Sequence, residues 1–336
     1  MESAHFLLGV EIRRKLDGGY FMVQEKYAAE VVSRYGMAAV ETISTPFEPG
    51  SNFGAKEVPV VEGVDPEMVD IPYRSLIGSL VYLAVCTRPD LSMDVSALSR
   101  YIQNPQMVHW EAVKRVLRYV KGIAGEGLGY SPGEEIAVWG YSDASYGSNV
   151  ETKKGRYGFV FMSGGAAIRW GNKLQEVATL SSTEAENMAI CHAMHEGLYL
   201  RILQQEMGFN PGGSGTFLLV DKLSSIKLAK NPMFHKRSKR IAIQFHFLHE
   251  KVESGEFGLE FVKTLSMADL VPGQPPIPVA APIDSGASDS FLDPSILVRY
   301  HLHPLPHPVP ISLELTFTSC WHYLSSSFQP PSPTPP

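Results

Sequence analysis

Apolar positions first alternate and then fall at helical spacing along residues 5–36. "HFLLGVEIRR" and the run after Asp17-Gly18-Gly19 predict a hairpin, and "EKYAAEVVSRYGM" predicts an amphipathic helix behind it. Residues 44–70 mix Pro, Gly and acids with little periodicity and predict a loop. From Tyr73 to Gly122 the pattern is helical, broken at Arg88-Pro89 and Asn104-Pro105. "EGLGYSPGEE" then marks a change of domain. "IAVWGYSDASY", "GRYGFVFMSGG" and "AAIRWGNKL" follow as strands at hairpin spacing, ahead of a helix around Thr183. "GTFLLVD" reads as a short buried parallel strand ending on Asp221. A helix, a basic amphipathic segment and a last strand, "GLEFVKT", lead to Asp269. The sum is an α/β unit: a mixed sheet with helices packed on it. Fifteen of the 25 prolines lie beyond Leu270, so no long regular element is expected in that tail.

A chain of 336 residues, 44% apolar, has room for two domains and a tail. Cys86, Cys191 and Cys320 are an odd, widely spaced set, which argues against a disulfide framework and a zinc cluster and suits a reducing compartment. Neither a signal peptide nor a membrane-spanning apolar run is expected. The net charge of −6 argues weakly against nucleic acid. Its distribution argues the other way. Lys114, Arg118 and Lys121 share a helix face at i, i+4 and i+7, and Lys236, Arg237 and Lys239 belong to a basic stretch from Lys227 to Lys251. Each cluster alone fits a solvated face; two basic patches beside an acidic site fit a phosphate backbone better.

The acidic site is suggested by "TLSSTEAENMAI" at Thr179–Ile190. Ser181 with Glu184, or Thr183 with Glu186, has the spacing of a capping box. Two residues apart on a helix, the two acids point roughly 200° apart and cannot share one site. Glu186 lies nearer the middle of the stripe Ala185, Met188, Ala189, Ala193, Leu200 and Leu203, so it is the better candidate to face a sheet. Asp143, Glu186, Asp221 and Asp269 then occupy places that such a sheet would bring together. Converging carboxylates repel unless cations bind between them, and magnesium held by oxygen ligands is the usual outcome. Singly, each acid has a duller role open to it: Asp143 could cap a turn, Asp221 start a helix, and Asp269 sit on the surface.

Residues 5–270 resemble the C-terminal part of the Pol polyprotein of copia-type retrotransposons. The stretches that carry the resemblance are "FLLGVEIRR", "YRSLIGSLVYLAVCTRPDLSMDVSALSRYIQNP", "HWEAVKRVLRYVKG", "GYSDASYGS", "LSSTEAENMAI" and "SIKLAKNPMFHKRSKRIAIQFHFLHEKVESGE", in the family's order. The resemblance implies a mostly helical reverse transcriptase thumb or connection remnant over residues 1–125. It implies a ribonuclease H-like domain over 134–270, with a mixed five-stranded sheet and flanking helices. It further implies that Asp143, Glu186, Asp221 and Asp269 hold two Mg²⁺ ions, with Mn²⁺ as a substitute, and cleave the RNA strand of an RNA–DNA hybrid. Asp143 would serve both ions, Glu186 and Asp221 one, and Asp269 the other, leaving Glu184 as the capping acid. Other Pol products are expected partners; a membrane and a small-molecule cofactor are not. Cytoplasmic particles, with the nucleus as a second compartment, are the expected location.

The departures carry information too. The family's polymerase aspartate pair, in a "YVDD" turn, has no counterpart here, so no polymerase activity is expected. Lys222 stands where the family usually has Asn, and Lys239-Arg240-Ile241-Ala242 replaces the common "KHID". Val271-Pro272-Gly273 replaces a continuing helix after Asp269. These changes leave a second expectation open: an inactive remnant that at most binds nucleic acid. In the tail over 271–336, the stretch 277–315 resembles the start of a gypsy-type retropepsin, which implies that Asp284 of "DSGAS" corresponds to a catalytic aspartate. Such proteases need two aspartates and a flap, so this segment is expected to be an inactive fragment.

Overall fold

The structure, a computed structural model, describes residues 5–47, 65–133, 136–147, 152–209, 215–230 and 239–262. Strands β1 (Phe6–Leu7), β2 (Val10–Arg14) and β3 (Tyr20–Val23) pair antiparallel. The β2–β3 turn falls at Asp17-Gly18-Gly19, where Gly18 takes a φ of +89° and the Gly19 N–H donates to Asp17 Oδ1 at 2.8 Å. Helices α1 (Glu25–Arg34), α2 (Tyr73–Cys86), α3 (Ser92–Ser99) and α4 (Met107–Gly122) follow, with breaks at the two predicted prolines. Their apolar faces, among them Val31, Leu76, Leu80, Leu98, Val113 and Leu117, close one core. Arg88 and Asp90, both buried, form a two-pronged ion pair at 2.9 and 2.6 Å, and Arg88 Nη1 also donates to Ile123 O at 3.0 Å. That pair clamps the end of α2 to the end of α4.

"GLGY", for which no strand was expected, forms strand β4 (Gly127–Tyr130) and pairs with β3 to complete a four-stranded sheet. The local signal for a strand is poor because two of its four residues are glycines. At Gly127 the reason is contact: a Cβ there would lie 2.2 Å from Met22 O.

The second sheet is built from β5 (Trp139–Ser145), β6 (Arg156–Ser163), β7 (Ala166–Leu174), β8 (Thr216–Val220) and β9 (Phe257–Phe261). Its order is β7-β6-β5-β8-β9; β5, β6 and β7 are antiparallel, and β8 and β9 run parallel to β5. Helix α5 (Ser182–Glu206) crosses between β7 and β8, while α6 (Leu223–Lys230) and α7 (Lys239–Glu253) cross between β8 and β9. This is the mixed five-stranded sheet with flanking helices that the resemblance implies for this part of the chain. Phe159, Phe161, Leu218, Val220, Phe257 and Leu259 pack against Ala189, Ile190, Ala193 and Met194 of α5. The helix sits tight on the sheet at Gly197, where a Cβ would come within 2.8 Å of the Phe257 ring.

The two sheets share a third apolar layer. Val10, Ile12, Met22 and Leu128 meet Met162, Ala166 and Ala167, with Trp139, Val160 and Trp170 packed alongside. Polar bonds extend the seam: Trp170 Nε1 donates to Ala84 O at 2.8 Å, and Ser96 Oγ to Asn172 O at 3.3 Å.

Candidate metal centre

Parallel pairing brings two acids to one edge of the sheet. Tyr141 of β5 is opposite Leu219 of β8, so Asp143 and Asp221 each lie two residues further along parallel strands. Asp143 is still in β5, opposite Gly158, and Asp221 follows the last residue of β8. Helix α5 starts over this edge. Ser181 is its N-cap: the hydroxyl accepts from the Glu184 N–H at 3.2 Å, and Glu184 Oε2 in turn accepts from the Leu180 N–H at 2.8 Å. Glu184 is therefore occupied in closing the cap, while Glu186, two residues on, points elsewhere. One carboxylate oxygen each from Asp143, Glu186 and Asp221 lies within 4.8 Å of the others.

Eight consecutive residues of α5, Glu184–Cys191, are buried, so this stretch of the helix is enclosed on every side and Glu186 is only 5% exposed. Burial pushes the Glu186 carboxyl well above the usual range, and the neighbouring charges of Asp143 and Asp221 push it further. Asp143 is raised for the same two reasons, burial first and then the charge of Asp221. The Ala144 N–H and the Lys222 ammonium act in the opposite direction on both groups.

Glu186 Oε2 is buried and has no hydrogen-bond partner among the described residues. A buried acceptor left unsatisfied is costly, and a carboxylate more so. Three oxygen donors gathered round it are the chemistry that a hard divalent cation satisfies, so these residues fit such an ion.

The remaining predicted residues fall elsewhere. Asp269, Lys236, Arg237 and Asp284 lie outside the described residues. Lys239 opens α7, and its side chain is likewise outside them. Lys114, Arg118 and Lys121 do line one side of α4, but each is engaged within the first unit. Lys114 pairs with Glu111 at 2.6 Å, Arg118 Nε donates to Glu41 O at 2.8 Å, and Lys121 Nζ to Val40 O at 2.7 Å. Two of the three thus hold the loop after α1.

Two features near the acids escaped the sequence reading. Lys222 Nζ donates to Ser182 Oγ at 2.5 Å, a tether across 40 residues. Tyr146, Leu180 and Leu223 are exposed large side chains three, six and two positions from Asp143, Glu186 and Asp221. The signal for the second was available: a bulky side chain close in sequence to each acid, in three separate segments of the chain.

The chain is 36% identical over 251 residues, 74% of its length, to the retrovirus-related Pol polyprotein from transposon TNT 1-94 of Nicotiana tabacum. It is 32% identical over 266 residues, 78% of its length, to that from transposon RE2 of Arabidopsis thaliana. It spans 19% and 17% of those two relatives. Among solved structures it overlaps RNase H1 from Halobacterium salinarum NRC-1 at 15% identity and a TM-score of 0.28, covering 38% of this chain and 86% of that one. No protein-family model matches the chain.

Proposed function

Because this chain belongs to the retrovirus-related Pol polyproteins of copia-type transposons, we propose that its second unit is a ribonuclease H that cuts the RNA strand of RNA–DNA hybrids. The observation that carries the proposal is the convergence of Asp143, Glu186 and Asp221 around a buried carboxylate oxygen with no partner among the described residues. Asp143, Glu186 and Asp221 would hold Mg²⁺, or Mn²⁺ in its place, and Asp269 is proposed as the fourth acid of a two-ion site. Such ions would activate a water and stabilise charge on the phosphodiester and its leaving oxygen.

The chain's own residues do the positioning. The adjacent parallel strands β5 and β8 fix the spacing of Asp143 and Asp221, and the Ser181–Glu184 cap fixes where α5 begins and so where Glu186 points. With their affinity for protons raised by burial, Asp143 and Glu186 must give up protons when a cation binds, so metal affinity rises with pH. Tyr146, Leu180 and Leu223 offer an apolar rim to the sugars and bases of a bound duplex. The proposed activity is cleavage, not polymerisation, and the proposed setting is cytoplasmic.

The test is incubation of the purified chain with a strand-labelled hybrid in Mg²⁺. The expected products are RNA fragments with 3′-hydroxyl and 5′-phosphate ends and an intact DNA strand. Persistent failure to cut in Mg²⁺ and in Mn²⁺ would overturn the proposal. A second reading, an inactive remnant that binds nucleic acid, is favoured by one observation: the fixed positive charge of Lys222 beside Asp221. Hybrid binding without cutting, weakening steeply as salt rises, is the result it expects.

A further inference from the structure

Lys222 directly follows Asp221, and its ammonium is held at 2.5 Å by Ser182 Oγ on the first turn of α5. Ser182 lies four residues ahead of Glu186, and residues four apart are neighbours on one helix face. The ammonium is therefore fixed between the strand end that carries one acid and the helix face that carries another. An untethered lysine at an exposed strand end would swing into water. This one is anchored to the first turn of the helix that carries Glu186, one residue after Asp221.

A monovalent cation fixed there has two effects on a divalent one. It repels the incoming ion directly, and it satisfies part of the negative charge that attracts that ion. We propose that Lys222, tethered by Ser182 beside Asp143, Glu186 and Asp221, is an internal competitor of the divalent cation, so that this chain binds its metal more weakly than three carboxylates alone would. The inference rests on the triad being a metal site, and it adds a residue that sets the site's affinity. Coulomb repulsion near a protein surface, reduced by solvent, gives an expected effect of roughly fivefold in the dissociation constant.

Calorimetric titration of the full chain with Mg²⁺ and with Mn²⁺ tests it without any measurement of cleavage. Lys222→Met is expected to bind roughly fivefold tighter than the wild type, and Lys222→Glu tighter again. Lys222→Arg, which keeps the charge, is expected to match the wild type, and added KCl is expected to narrow the differences. Unchanged or weaker binding in both Lys222→Met and Lys222→Glu would overturn the proposal, provided that far-ultraviolet circular dichroism shows both folded. The metal-site reading fails in a separate way: Asp143→Asn would then give the same titration as the wild type.

Discussion

One cluster of charged side chains in each unit makes an instructive pair. In the first unit Arg88 and Asp90 have opposite signs, meet through two hydrogen bonds, and leave a third for Ile123 O. In the second, Asp143, Glu186 and Asp221 have the same sign, raise the proton affinity of Asp143 and Glu186, and leave Glu186 Oε2 without a partner among the described residues. The first group is complete within the chain. The second is not completed by the described residues of the chain. Burial alone would not separate a structural cluster from a functional one; the sign of the charges and the state of their hydrogen bonds do.

The largest effect that would break this comparison is on cleavage. Asp143→Asn is expected to lower the rate of hybrid cutting at least about a hundredfold, since the loss falls on stabilisation of the reacting phosphate. Differential scanning calorimetry without metal should show the same variant at least as stable as the wild type at pH 8, because it relieves repulsion. Arg88→Ala should do the reverse, costing about 3–5 kcal/mol by leaving Asp90 buried and alone, as read from urea unfolding.

Third comes pH. The folded chain keeps protons on Asp143 and Glu186 that the unfolded chain releases at about pH 4. Metal-free stability should therefore fall as pH rises above that value, by at most about 1.4 kcal/mol per unit for each group. Saturating Mg²⁺ should flatten the dependence, and a metal-free melting curve that does not fall between pH 5 and 8 would count against the raised proton affinities. The smallest effect sharpens the comparison from the side of the cap. Ser181→Ala should cost about 1 kcal/mol in thermal unfolding and shift metal affinity only slightly, since it loosens the start of α5 without touching a ligand.

Much of this was legible in the sequence because its signals were local. Alternation marked β5, β6 and β7, proline marked the ends of α2 and the approach to α4, and the stripe through Ala185, Ala189 and Ala193 turned Glu186 rather than Glu184 toward the sheet. What was missed depends on partners far along the chain. β4 is glycine-rich and is a strand only because β3 pairs with it. The bonds that Arg118 and Lys121 of α4 make to carbonyls 77 and 81 residues away likewise have no local signal. Lys222 could be seen as a charge beside a ligand, but its tether to Ser182 exists only once β8 lies next to the start of α5.

The enclosure of α5 through Glu184–Cys191 has a thermodynamic consequence. With neighbours on all sides, the Glu186 side chain has little torsional freedom left to surrender. The entropy of fixing that carboxylate is incurred when the polypeptide folds, so an ion bound as proposed would meet a rigid donor and not a wandering one.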